Sequence, residues 1–285
     1  MARSPRLALL GALTTSALLA LVWLLAYHVP LAHRLDASIL AGFTGLSGPR
    51  VDRVANAVAQ LCNPQPFVWW AAAITLIAVL RRRARTAVAV AVILAGSNIT
   101  TQLLKPALAR PRFSDLLGLA DQVGSVSWPS GHATASMSLA LCAVMVAPAR
   151  WRPRVAALGG VFVVAVVFSF LTLHWHYPSD VLGGFLMATT WTLVAVAALW
   201  WAEARWPQRA SAATPPRVGE ALAPAAVAAL AAVTLAAAML LARPQQVVAY
   251  VSDHTAFVVG AGAIGTLALA LASGLALMLR VPRRR

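Results

Sequence analysis

The chain's 285 residues are 60% hydrophobic and 11% charged, with a mean hydropathy of +0.77. Soluble globular domains carry about 25% charged residues; at less than half that density a polar surface cannot cover a core of this size, so apolar surface must face lipid, which excludes both a soluble enzyme and a disordered chain. The net charge of +15 and pI near 11.8 do not point to a nucleic-acid partner, because 22 of the 23 basic residues are arginines set in short clusters between apolar runs, the placement of topology signals.

Apolar runs near the roughly twenty residues needed to cross about 30 Å of hydrocarbon predict eight spans. In chain order they cover 7–28, 67–81, 86–105, 132–148, 155–174, 180–202, 221–241 and 255–279, the second being short. The first follows Arg3 and Arg6 as a signal peptide would, but its apolar stretch is too long and no small-residue cleavage site follows, so it reads as an uncleaved span. Residues 30–66, with Arg34, Asp36, Asp52 and Arg53, read as an outer segment holding an interfacial helix that covers a site. Cys62 and Cys142 have neither CxxC nor metal-ligand spacing, and no disulfide framework is implied. Asn98, Thr100, Thr101 and Gln102 in the third span are expected to bond between helices. The stretch 203–220, with Pro207, Pro215 and Pro216, reads as a cytoplasmic linker between a six-span unit, 1–202, and a two-span addition with a basic tail, 221–285. Those last spans carry no motif, and self-association into a homo-oligomer, closure of a lateral lipid gate and simple packing are all open to them.

An even number of spans places both termini on one side. Counting basic residues in alternate loops gives sixteen on the side of the termini and seven on the other, so both termini are expected in the cytoplasm. The opposite loops hold Lys105 and Arg112 yet also all six histidines and six of the eight acids, which puts the chemistry on the extracytoplasmic face. The bias toward arginine and alanine points to a GC-rich bacterium, and hence to a plasma membrane.

Three boundary segments carry that chemistry. After the third span come Lys105, the sole lysine, and Arg112, seven residues apart; in a helix both cations can face one pocket and clamp an anion. Before the fourth span stands Ser127-Trp128-Pro129-Ser130-Gly131-His132. Ser130 suits a helix N-cap, Gly131 allows close backbone approach, and the N–H groups of a helix start point at an anion. His132 beside that anion can donate a proton to a leaving oxygen near neutral pH. Between the fifth and sixth spans lies His174-Trp175-His176-Tyr177-Pro178-Ser179-Asp180, followed by Gly183 and Gly184, which suit close helix packing. His176 and Asp180 are four apart, so the carboxylate can orient the imidazole, which is then a base or a nucleophile. A zinc reading of His174-x-His176 lacks a Cys or Glu partner. Together these groups suit in-line displacement at phosphorus, without metal, cofactor or nucleotide-binding loop.

The three segments resemble the motifs of the type-2 phosphatidic acid phosphatase (lipid phosphate phosphatase) superfamily, K-x6-R-P, P-S-G-H and S-R-x5-H-x3-D, over roughly residues 86–200. The first runs from Lys105 to Arg112, with Phe113 in place of the final proline; the second is intact at Pro129–His132; the third keeps Ser169, His176 and Asp180 but has Phe170 in place of its arginine. The resemblance implies an all-α polytopic membrane protein, a six-helix phosphatase-type bundle with two additional C-terminal transmembrane helices. It implies His176 as a nucleophile forming phosphohistidine, Asp180 as its orienting acid and His132 as general acid. It also implies phosphate binding by Lys105, Arg112, Ser130 and Gly131. Arg110 or His174 could replace the missing arginine, His174 by lying on the helical face of Phe170 if the span is regular.

The expected activity is hydrolysis of a lipid phosphate at the outer leaflet, the substrate being an isoprenoid diphosphate or a phosphatidate-like lipid held among membrane lipids. Transfer of the phosphoryl-bearing group to an alcohol acceptor and non-catalytic binding are the alternatives that Phe170 leaves standing.

Overall fold

The computed structural model describes residues 4–109, 123–207 and 217–280, and all regular structure among them is helical. The helices are α1 (Pro5–His28), α2 (Pro30–Thr44), α3 (Pro49–Ala59), α4 (Pro64–Leu80), α5 (Ala84–Leu108), α6 (Gly131–Val146), α7 (Arg152–Thr172), α8 (Pro178–Arg205), α9 (Val218–Ala242), α10 (Pro244–Asp253) and α11 (Thr255–Met278), with a 3-10 turn over Gln60–Cys62 between α3 and α4. Proline opens α1, α2, α3, α4, α8 and α10. There its missing N–H is no loss and its fixed φ suits a helix start, so the chain breaks and restarts where the prolines stand.

Each of the eight expected runs lies in one helix, with ends agreeing to within three residues. Six of them, α1, α5, α7, α8, α9 and α11, are long and apolar enough to cross a membrane by themselves. The second expected span, α4, reaches that length only together with α3, to which it is bent by 52°. The fourth, α6, has sixteen residues, about 24 Å at 1.5 Å per residue. Its hydropathy has another cause: α6 is the central post, packed on α4, α5, α7, α8 and α11, with thirteen of its sixteen residues buried. The chain is thus an all-α polytopic membrane protein.

Small residues let the post be surrounded closely. A Cβ on Gly159 of α7 would lie 3.0 Å from Ala140 Cβ, and one on Gly184 of α8 would lie 2.7 Å from Ala133 Cβ. Of the polar residues of α5, Thr101 meets Thr134 Oγ1 at 3.1 Å, and Asn98 donates to Leu94 O at 2.9 Å with Ser138 Oγ at 3.5 Å. In the C-terminal part, α11 seats on α7 and α2, while α9 touches α7 and α11 and buries only Ala221.

Arg83, Arg85 and Arg152 fall at one end of the bundle. Arg83 donates to the carbonyls of Met145 and Val146 at 3.1 Å, Arg85 to Trp206 O at 2.8 Å and Arg152 to Leu279 O at 3.0 Å. They satisfy carbonyls that the ends of α6, α8 and α11 leave without intrahelical partners, and their charge suits the negative pole of each helix.

Candidate active site

At the opposite end the starts of α6 and α8 meet. Ser130 is the N-cap of α6, its Oγ accepting from Ala133 N–H at 3.3 Å, while its own N–H donates to Asp180 O at 2.9 Å. Gly184 permits this approach, since a Cβ there would stand 2.8 Å from both Ser130 O and Thr134 N. Gly183 does the same beneath Trp128, whose Nε1 would be 2.8 Å away. Over the first turn of α6 reaches α5: a Cβ on Gly131 would lie 3.2 Å from Gln102 Nε2 and 3.8 Å from Lys105 Nζ. Glycine here leaves room for an ammonium above a helix N-terminus, two groups of the same sign that together favour an anion. Lys105 also lies within electrostatic reach of Asp180.

The two histidines come from either side of this point. His176, 7% exposed, sets Nδ1 3.3 Å from Oδ2 of the fully buried Asp180, and the same oxygen accepts from Tyr177 N–H at 2.9 Å. Asp180 thereby caps α8 and fixes the ring, leaving His176 Nε2 as the nitrogen away from the carboxylate. His132 holds Asn63 Oδ1 3.0 Å from its Nε2. Phe170 is fully buried with its ring 5.9 Å from that of His132 and 5.3 Å from that of His176, and Trp175 lies 5.5 Å from His132. In place of a cation, an aromatic wall joins the histidines. A cavity of about 300 Å³ opens beside them, lined by Gly124, Ser125, Val126, Ser127, Trp175 and His176.

The turn from α7 to α8 decides where His174 goes. Trp175 N–H bonds Phe170 O at 3.0 Å and His174 N–H bonds Leu171 O at 3.1 Å, while His174 has φ 62°. This is the paired-bond helix ending with a left-handed residue just past the C-cap, a place that glycine usually fills. The helix stops at Thr172, so His174 leaves the face of Phe170 and the regular-span condition is not met. Burial pulls its imidazole below its ordinary range, and Asp52 of α3 acts in the opposite direction. Ser169 bonds back to Ala165 O at 2.7 Å on an exposed face. Arg110, Arg112 and Phe113 lie outside the described residues.

Two supporting groups were not legible as such. Asp36 of α2 is buried, and its carboxylate accepts from Ser179 N–H at 2.8 Å and Ser179 Oγ at 2.6 Å. The His33 ring lies 5.5 Å from Tyr177. The outer segment therefore stands beside the start of α8 and anchors it. Asn63 is the second, at the joint of α3 and α4. Sequence placed Asp36 in an outer segment expected to cover a site, without indicating what it bonds, and gave no signal for Asn63.

Residues 86–204 match the family model of the PAP2 superfamily. Among solved structures the chain is similar to the "first transmembrane PAP2 type phosphatidylglycerolphosphate phosphatase from Bacillus subtilis", with a TM-score of 0.52 and 17% identity over 70% of this chain and 98% of that one. That likeness is one of fold. No curated protein matches the chain. The family matched is the one that the three motifs resemble.

Proposed function

We propose that this chain, which carries a PAP2-superfamily segment over residues 86–204, is an integral-membrane lipid phosphatase that hydrolyses a phosphate monoester or diphosphate of a lipid at the outer leaflet through a phosphohistidine. The observation that carries the reading is the convergence of the His176–Asp180 pair, His132 and Lys105 on the start of α6. Lys105, Arg112 and the N–H groups of Gly131 and His132 hold the phosphoryl oxygens, since first-turn N–H groups have no carbonyl within the helix to bond. His176 Nε2 attacks phosphorus, the bond to the leaving oxygen breaks, and that oxygen takes the proton of His132. His132 then accepts a proton from water as the water oxygen attacks the phosphohistidine, which releases phosphate and frees His176. Asp180 keeps the ring aimed and stabilises the charge that develops on it.

A lipid substrate fits the setting. Leu61, Gln65, Pro66, Trp69, Trp70 and Ala73 line an apolar groove of about 500 Å³ along the joint of α3 and α4, whose Asn63 touches His132. An isoprenoid diphosphate or a phosphatidate-like lipid has a tail for such a groove and a head group for the histidines. The test is phosphate release from a panel of lipid phosphates in detergent with a chelator present. The wild type is expected to turn over, and His176→Ala to lose about 10⁴-fold; no release from any lipid of the panel rejects hydrolysis. Phe170, standing between the histidines where the motif has its arginine, favours one second reading, transfer of the phosphoryl-bearing group to an alcohol. A product carrying the transferred group, with little free phosphate, would select it.

A further inference from the structure

The two histidines are held alike but by partners of different charge. His176 has Nδ1 on a carboxylate, Asp180, whereas His132 has Nε2 on a carboxamide, Asn63. Asn63 is also out of its ordinary role. It is the N-cap of α4, where asparagine is among the preferred residues because its side-chain oxygen accepts from the first turn. Here the side chain makes no capping bond to α4 and its Oδ1 goes instead to a ring on α6. The contact joins parts of the chain 69 residues apart, at the joint where α3 and α4 bend by 52°.

We infer that Asn63 is a positioning residue that fixes His132 as the proton donor of the pair, by accepting from Nε2–H with an uncharged oxygen. An amide oxygen only accepts, so the bond puts hydrogen on Nε2 and leaves Nδ1 as the nitrogen that gains and loses the mobile proton. A carboxylate in that place would hold the imidazolium's charge and slow proton donation. A carboxamide orients the ring and adds no charge, so the proton is more readily given up. The carboxylate therefore stands behind the ring that must take positive charge, and the amide behind the ring that must lose it, a division of environments that assigns acid and nucleophile. The charges acting on His132 are Lys105 of α5 and His176 of the α7–α8 turn, with Asp180 of α8 behind His176; Phe170 and Trp175 add apolar walls.

The inference rests on the phosphatase reading for its consequence, but its core is testable without turnover. Histidine-selective ¹⁵N spectra of the detergent-solubilised wild type should show His132 with Nε2 protonated. Asn63→Ala should lose that tautomer preference, and Asn63→Asp should move the His132 titration to higher pH by about one unit. Where phosphate release is measurable, the alkaline limb of the rate profile should follow, upward in Asn63→Asp and downward in Asn63→Ala. The acidic limb should stay in place. His132 protonated on Nδ1 in the wild type, or titrating identically in all three proteins, would overturn the inference even if turnover is robust. Absence of phosphate release with the expected spectra would instead reject the phosphatase reading and leave the positioning role standing. Loss of activity that tracks thermal stability alone, with both limbs unmoved, would reduce Asn63 to a structural joint and also overturn it.

Discussion

The two ends of the bundle solve the same electrostatic problem in opposite senses. At one end, Arg83, Arg85 and Arg152 close helix C-termini by donating to their last carbonyls. At the other, the carboxylates of Asp180 and Asp36 accept from N–H groups at the start of α8, as the positive pole of a helix requires. The start of α6 breaks this symmetry. It has the neutral Ser130 as its cap, with Lys105 over its first turn and the imidazoles of His132 and His176 beside it. An ammonium above a helix N-terminus favours an anion, whereas at the other end the arginines meet carbonyls that the chain itself supplies. On the proposed reading, the difference separates groups that hold the fold from groups arranged for a ligand.

The comparison is broken most severely by closing the space between α6 and α8. In Gly184→Ala the new Cβ would stand 2.8 Å from two backbone atoms in the first turn of α6, Ser130 O and Thr134 N, so α8 must retreat and carry His176 with it. Phosphate release should fall by more than about 10²-fold, and thermal melting in detergent should show a loss of about 1–3 kcal/mol. Asp36→Ala is expected next. It removes two bonds to Ser179 without touching the histidines, so kcat should fall about 10-fold to 100-fold with KM little changed; a change in KM alone would place Asp36 in substrate binding. The smallest effect belongs to the arginine end: Arg83→Ala should cost about 1–2 kcal/mol of stability and leave kcat/KM within a factor of two, as steady-state rates in the folded fraction would show. A rate loss there as large as at Asp36 would erase the distinction between the ends.

Much of this was written in the chain. Hydropathy located the six helices of membrane length because lipid imposes that length, and Lys105, the start of α6 and the His176–Asp180 pair lay at boundaries that the fold brings to one end. What hydropathy could not read is that α6 is apolar because protein surrounds it, since burial in protein and burial in lipid select the same residues. The face of His174 was also beyond reach: periodicity assumes that a helix continues, and the left-handed turn at that residue ends it. Asp36 and Asn63 act across 143 and 69 residues of chain, separations at which no local pattern signals a contact. Phe170 was visible as a departure from a motif, but only the fold shows it filling the space between both histidine rings.

The central claim is that His176 takes the phosphoryl group. Mixing enzyme with a ³²P-labelled lipid phosphate, quenching in denaturant at alkaline pH within one turnover and mapping the labelled peptide tests it directly. The account predicts acid-labile, base-stable label on His176 in the wild type and none in His176→Ala. Turnover without trapped label on any histidine, or label on His132 in place of His176, would contradict it.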